Sequence, residues 1–564
     1  MVKNNQINLR NRALTQLLML LGIVVLLNVI GTFWFTRFDL TADKRFTLSP
    51  QSRKIVGNLK DVVYIKVYLE GDFSPGFSRL RDATREMLDE LRTYSNGNLE
   101  YEFIDPSLNP DKTEREKFYA QLYQKGIQPT TLEERTAEGV SRKYIWPGAI
   151  VSYSNQELGI QLLKDQIGIP PEVMLNNSVQ NLEYEIVNSI RKVTNPMQPT
   201  IAFLEGHAEL TDLQTADISR TLQNSYKVER VKIDGQLKSL DKYTAVIIAK
   251  PDSAFNEKDK FVLDQYVMQG GKIIWLIDQM QASMDSLSGK GETMALARQL
   301  NLDDMLFRYG VRINYDLVQD IVASMIPVVT GSIGNTPKQQ LMPWYFFPLM
   351  NPVSKHPVVN NLNAVRAQFI STMDTLPVEG VRKSVLLTSS RYSRVSTAPV
   401  RVSLGIMEFK PDPAMFPQSF LLTGLLLEGE FTSNFKNRIS PVIASDTAIG
   451  YLEKSKSTAM IVISDGDIIR NDFSKGNPVP LGVDKYTGGN YGNKAFFLNA
   501  VDYLCDESGL MVVRNKEFRL RLLDPTLLDE KKTILQVVNT AVPVLLILTF
   551  GITKMYLRRK KYAA

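Results

Sequence analysis

Two short segments carry the side chains best suited to chemistry. In Glu205-Gly206-His207-Ala208-Glu209 a histidine stands between two carboxylates, a set that can move protons or ligate a metal. It follows the apolar run Thr200 to Leu204, which reads as a buried strand, so it falls at the carboxyl end where doubly wound sheets place ligands. In Asp465-Gly466-Asp467, directly after the apolar run Ala459 to Ser464, two acidic side chains one residue apart can share a hard cation. Asp278 closes a third such run, Lys272 to Ile277. If these strand ends are neighbours, Glu205, His207, Glu209, Asp278, Asp465 and Asp467 line one crevice. Each also has a plainer reading, because short polar side chains in turns bond nearby backbone groups.

Several chemistries are excluded. His356 is the only other histidine, so a multi-histidine zinc site is impossible. Cys505 is the only cysteine, which rules out an intramolecular disulfide. It ends the amphipathic stretch Lys494 to Cys505, where it reads as a small buried residue and not as a thiolate on a strand-to-helix elbow. No G-x-S-x-G elbow replaces it. Gly271-Lys272 lacks both the earlier glycine and the hydroxyl of a phosphate-binding loop, so the chain is not expected to be the ATPase of a transporter. No residue is assigned to catalysis, a cofactor or a metal.

The elements that must position these residues follow from periodicity. Val62 to Leu69 alternates as a strand, Phe77 to Tyr94 has helical spacing, and Asn96-Gly97 turns into a second strand, Leu99 to Ile104. A polar helical stretch follows, and Ile145 to Tyr153 with Glu157 to Leu163 reads as a hairpin about Ser154-Asn155. Leu182 to Val193 makes a closing helix. This order resembles a thioredoxin-like domain, but there is no C-x-x-C. Asn195-Pro196 marks a boundary. Beyond it the strands at Thr200, Tyr226 to Ile233, Ala245 to Ala249 and Lys272 alternate with helices, one starting near Thr211 or Asp212 and one capped by Asn256. That alternation predicts a doubly wound parallel sheet. Residues 340 to 440 are rich in strands and prolines and read as an insertion or a β-rich extension, after which the sheet resumes at Ala459.

The two ends set the compartment. Ala13 to Thr36 and Thr533 to Thr553 contain no charged residue, and at about 1.5 Å per residue each can cross a hydrocarbon core of about 30 Å. The flanking tails, 1–12 and 554–564, hold eight basic side chains and no acidic one, so both read as cytoplasmic. The expected organisation is therefore a tail (1–12), a span (13–36), an α/β domain (37–195), a larger α/β domain (196–510), a linker (511–532), a span (533–553) and a tail (554–564). The formal charge of +6 comes from the tails: without them 58 basic residues face 60 acidic ones. A near-neutral body lacks the footprint that phosphate-backbone binding needs, which excludes a nucleic-acid partner.

IAFLEGHAEL (Ile201 to Leu210), GGKIIWLID (Gly270 to Asp278), VISDGDIIRN (Val462 to Asn471) and GNKAFFLNAVDYL (Gly492 to Leu504), between two terminal anchors, resemble the GldG family of gliding-motility proteins. The resemblance covers essentially the whole chain. It implies a component associated with an ABC transporter in gliding bacteria, working with a separate permease and ATPase, in the inner membrane with a periplasmic body. It also implies a central domain like a class I glutamine amidotransferase or flavodoxin, shared with intraflagellar-transport proteins, without the amidotransferase nucleophile.

Two further groups suit contacts with partners. In Pro343-Trp344-Tyr345-Phe346-Phe347-Pro348 the flanking prolines argue against an ordinary interior strand, leaving a loop packed on its own domain or an anchor for another protein. Gln536, Asn539 and Thr540 fall on one face of the second span, where they meet another helix or the wet interface. The expectation is a non-catalytic, membrane-anchored accessory subunit. The alternatives are a tethered small-molecule binder, or an anchored envelope hydrolase or transferase using His207, Asp465 and Asp467.

Overall fold

The computed structural model describes residues 15–26, 47–136, 139–164, 170–195, 198–233, 235–287, 291–333, 336–408, 411–447, 449–506, 508–515 and 525–562. The chain divides into two units, Met1–Lys516 and Glu517–Ala564.

The first 12 described residues form an apolar helix, α1 (Thr15–Leu26). The remainder of the expected first span lies outside the described residues. The body begins with α2 (Pro50–Gly57), whose cap residue Ser49 accepts from the Ser52 amide. Then come β1 (Val63–Val67), α3 (Pro75–Tyr94), β2 (Leu99–Phe103), α4 (Lys112–Gln124), a hairpin of β3 (Thr130–Thr136) and β4 (Gly139–Ile145), β5 (Gly148–Tyr153), β6 (Gln156–Gln161) and α5 (Pro171–Thr194). The sheet order is β2-β1-β5-β6, with β1 parallel to β2 and antiparallel to β5. In α3, Phe77, Leu80, Thr84, Leu88 and Leu91 recur at helical spacing and are all buried, which gives the helix its one apolar face. They share a core with β1 and with Leu182, Ile186, Val187 and Ile190 of α5.

The larger sheet is built from β7 (Thr200–Glu205), α6 (Ala216–Gln223), β8 (Lys227–Lys232), β9 (Ala245–Ala249), α7 (Glu257–Met268), β10 (Lys272–Leu276) and α8 (Asp303–Tyr309). It is completed by β11 (Ala323–Ile333), β12 (Thr336–Pro352), β13 (Val381–Thr388), β14 (Leu422–Gly429), β15 (Thr458–Ile463) and the helix α9 (Asn493–Leu504). Strands β8-β7-β9-β10-β15 are parallel. The period of two in their apolar runs decides the layers. Ala245, Ile247, Ile274 and Leu276 face the core shared with α6 and α9, while Val246, Ile248, Ile273 and Trp275 face the core shared with α7 and α8. Both faces are thus covered by helices, as near-continuous apolar strands require.

Residues 340 to 440 are β-rich, and of the two readings, insertion or extension, the strands form an extension of the sheet. Strand β14 pairs antiparallel with β15, β13 with β14, and β12 with β13, which carries the sheet outward to β11. The buried run Thr423 to Leu427 accounts for this, because it needs a neighbour on each edge and cover on each face.

The aromatic run packs on its own domain, one of its two expected readings, but within strand β12 and not in a loop, and Trp344, Tyr345, Phe346 and Phe347 are all buried. The ladder to β11 jumps from Ala323 opposite Pro348 to Met325 opposite Pro343, so the four aromatic residues lie in a break of register flanked by the two prolines. Proline is tolerated at such an irregularity because no ladder donor is lost there. Trp344 and Phe346 pack with Leu317, Phe369 and Val402, inside the molecule's own core. These side chains are therefore not an exposed anchor.

The second unit holds α10 (Pro525–Tyr562), within which Lys531–Lys560 is long and apolar enough to cross a membrane. Pro543 lies inside it.

Candidate functional site

The carboxyl ends of the parallel strands gather the charged residues into two clusters and not into one crevice. His207 follows β7 and Asp465 follows β15, and in the sheet order β9 and β10 stand between them. The neighbours that bring side chains together are β9, β10 and β15.

After these three strands come Lys250, Asp278 and Asp465-Gly466-Asp467. The carboxylates of Asp278, Asp465 and Asp467 offer oxygens that all lie within 4.8 Å of one another, and all three residues are buried. The Lys250 ammonium lies 2.9 Å from Asp278 Oδ2 and also bonds Asp467 Oδ2. Backbone groups complete the cluster: the amides of Asp467 and Gln368 donate to Asp465 at 2.7 and 2.6 Å, and the Gly466 amide donates to Asp278 at 2.5 Å. Glycine is required at 466, because a Cβ there would stand 2.5 Å from that of Lys250.

Burial raises the Asp465 carboxyl well above the usual carboxylate range, and Asp278 and Asp467 push it the same way. Asp278 is also raised, first by burial and then by Asp467, against the pull of Lys250. Burial alone would lower the lysine, but Asp278 and Asp467 outweigh it and the ammonium is held charged. As a donor set, three carboxylates suit a hard cation. Here the lysine ammonium already stands between two of them and supplies that charge.

The second cluster surrounds His207. Its ring stacks on Phe255 with centroids 3.6 Å apart and planes 13° from parallel. Nδ1 lies 3.3 Å from Glu209 Oε1 and Nε2 lies 3.2 Å from Asp259 Oδ2, so both ring nitrogens are engaged. The His207 backbone amide donates to Glu209 at 2.7 Å, and its carbonyl accepts from Asp252 and Ser253. Glu205 turns away to Arg230, 2.9 Å distant. A cleft of about 540 Å³ opens beside this cluster, between Glu205, Gly206 and His207 and the first turn of α7. Asn256 caps that helix, accepting from the Asp259 amide as its residue type predicts, and it also donates to the Asp259 carboxylate. With its two ring nitrogens facing Glu209 and Asp259, the histidine serves as a clamp between β7 and α7.

Sequence reasoning did not single out Lys250, Asp259 or Arg298, which pairs with Asp252 in the loop after β9. Lys250 carried a readable signal, since it is the first charged residue after a buried run, as Asp278 and Asp465 are. Asp259 lies in the first turn of α7, and its approach to His207 across 52 positions leaves no local trace. A cleft of about 550 Å³ at the opposite strand ends, near Lys272, Arg382, Glu428 and Tyr503, contains none of the expected residues.

Residues 198–500 match the family model described as ABC-type uncharacterized transport system, and residues 42–152 match a domain of unknown function, DUF7088. Among solved structures, the N-terminal domain of mmIFT52 is similar at 14% identity and a TM-score of 0.32, covering 54% of this chain and 96% of that one. A ThuA-like protein from Parabacteroides merdae is similar at 12% identity and a TM-score of 0.25, covering 54% and 90%. No curated protein matches the chain.

Proposed function

The chain belongs to the family described as ABC-type uncharacterized transport system, and from that premise we propose that it is a non-catalytic subunit which accompanies a separate permease and ATPase, anchored at both ends in the inner membrane. The body is periplasmic and both tails are cytoplasmic, a reading supported by the eight basic tail residues. The resemblance of its motifs extends the proposal to the transporter that serves gliding motility. The order β2-β1-β5-β6 supports a thioredoxin-like first domain, and the five parallel strands with helices on both faces support a flavodoxin- or amidotransferase-like second domain.

The observation that carries the non-catalytic reading is the filling of the space at the ends of β9, β10 and β15. Where an open α/β sheet would receive a ligand, Lys250 fills the space between Asp278 and Asp467. The only cysteine is buried and ends α9, away from those strand ends. A second reading, a tethered small-molecule binder, has the cleft beside His207 in its favour. An anchored envelope hydrolase or transferase is less well supported, because the sequence holds no G-x-S-x-G elbow and no cysteine at a strand-to-helix turn.

Purification of the full chain in mild detergent tests the proposal. A stoichiometric permease and ATPase should copurify, and the chain alone should turn over neither ATP nor envelope esters and amides. A chain that purifies alone while the permease–ATPase pair assembles and works fully in cells lacking it sinks the accessory role. Turnover by the chain alone sinks the non-catalytic one.

A further inference from the structure

Helix α10 carries one face that a lipid environment cannot satisfy. Gln536, Thr540, Pro543, Ile547, Phe550 and Lys554 recur at alternating spacings of four and three, the seam of a left-handed helix pair. At 100° per residue these positions and Asn539 fall within an arc of about 100°. Ile534, Val538, Leu545 and Ile552, on the opposite side, are all apolar. The hydroxyls of the span look after themselves: Thr540 donates to the Gln536 carbonyl and Thr553 to the Thr549 carbonyl at 2.6 Å each, and Thr549 donates to the Leu545 carbonyl. The amides of Gln536 and Asn539 stand exposed on the helix surface. Pro543 adds a third group, because it has no N–H to give to the carbonyl four residues earlier, that of Asn539. Two side-chain amides and one carbonyl thus share a face within a turn and a half, and unsatisfied groups of this kind are costly in hydrocarbon.

We propose that α10 pairs in parallel with the same helix of a second copy of this chain, through the seam Gln536–Thr540–Pro543–Ile547. The proposal rests on the reading of α10 as a membrane span. The face is complementary to itself. A carboxamide both donates and accepts, so Asn539 and Gln536 of one copy meet equivalent groups of the other at the same depth by symmetry, and the carbonyl freed by Pro543 receives an amide hydrogen. The basic tails, Arg558 to Lys561, lie beyond the hydrocarbon, where screening over about 10 Å weakens their mutual repulsion. The consequence for function is two copies of the chain tethered to each other at the membrane.

Single cysteines introduced into the full-length Cys505→Ser protein, reconstituted in liposomes and oxidised with copper phenanthroline, read the pairing directly. Disulfide dimers should form at Gln536→Cys, Thr540→Cys and Ile547→Cys and not at Val538→Cys or Leu545→Cys. In the protein without introduced cysteines, Gln536→Leu with Asn539→Leu should weaken self-association, measured by energy transfer between labelled copies, by about tenfold. Three outcomes overturn the proposal: no cross-link at any position, equal cross-linking around the helix, or a monomer whose seam substitutions only release the transporter's membrane subunit. Carbonate extraction separates this from the membrane reading, because extraction of the protein removes the span itself, whereas an inserted monomer removes only the pair.

Discussion

Lys250 shows how a single side chain can decide what a strand-end site does. Its backbone adopts a left-handed conformation, φ 55°, which is uncommon for a residue with a Cβ, and this conformation accompanies its position against Gly466 between two buried aspartates. Arg470 also reaches Asp467 at 3.3 Å, but Asp278 has Lys250 as its cationic partner among the described residues, and breaking such a buried pair costs about 3 kcal/mol. Lys250→Met should therefore lower the thermal stability of the full chain by that amount, and Asp467→Asn in the same background should recover part of it. The same substitutions should reduce assembly with the proposed transporter only in proportion to the folded protein that remains. A Lys250→Met protein of unchanged stability with complete loss of function would instead assign the cluster to a ligand or a reaction.

At the scale of elements, Asp502 of α9 ties three pieces of the body together. It accepts from Tyr226, just before β8, at 2.6 Å and from Lys192 of α5 at 2.9 Å, and the Asn188 amide stands 3.5 Å away. Arg191 of the same helix faces Asp506 at 3.8 Å. Helix α5 is thus held to the large sheet by charge as well as by packing. Burial alone would raise the Asp502 carboxyl, but Lys192 and the Tyr226 hydroxyl outweigh it, and its pKa lies below the ordinary carboxylate value. A depressed folded value means that the bond stabilises fully above the unfolded pKa of about 3.9 and is lost as pH falls through the folded value. Asp502→Ala should cost about 3 kcal/mol near neutrality, and its deficit relative to the parent should shrink as the pH drops below about 3.9. Urea unfolding at pH 7 and at pH 3 measures both quantities. An equal deficit at the two pH values would remove the ionic explanation.

For the whole molecule, the decisive measurement is which side of the membrane the body occupies. The apolar helix Lys531–Lys560 and the basic tails predict that cysteines at Lys3 and Lys561 react with an impermeant thiol reagent only after lysis, and that one at Asn155 reacts in intact cells with a permeable outer membrane. Asn155 is an exposed turn residue between β5 and β6, so its labelling reports topology and not burial. Labelling at Asn155 only after lysis would place the body in the cytoplasm and reverse the proposed arrangement.

The local pattern determined most of the framework. Period-two and helical runs located β1, α3, β7, β9, α7, β10, β15 and α9 to within a few residues, and the cap at Asn256 and the strand-end positions of His207, Asp278 and Asp465 were legible because each depends on neighbours in the chain. Strand order was not legible. Whether β7 or β10 stands beside β15 is settled by how the two apolar faces of each strand are covered, and that places Asp465 with Lys250 and Asp278 while sending His207 to Glu209 and Asp259. The same holds for Trp344 to Phe347. Their composition suits a partner surface as well as a core, and only the register break between Pro343 and Pro348, with the surrounding side chains of Leu317, Phe369 and Val402, decides for the core. Burial and charge pairing between distant positions are properties of packing, so no window of the sequence contains them.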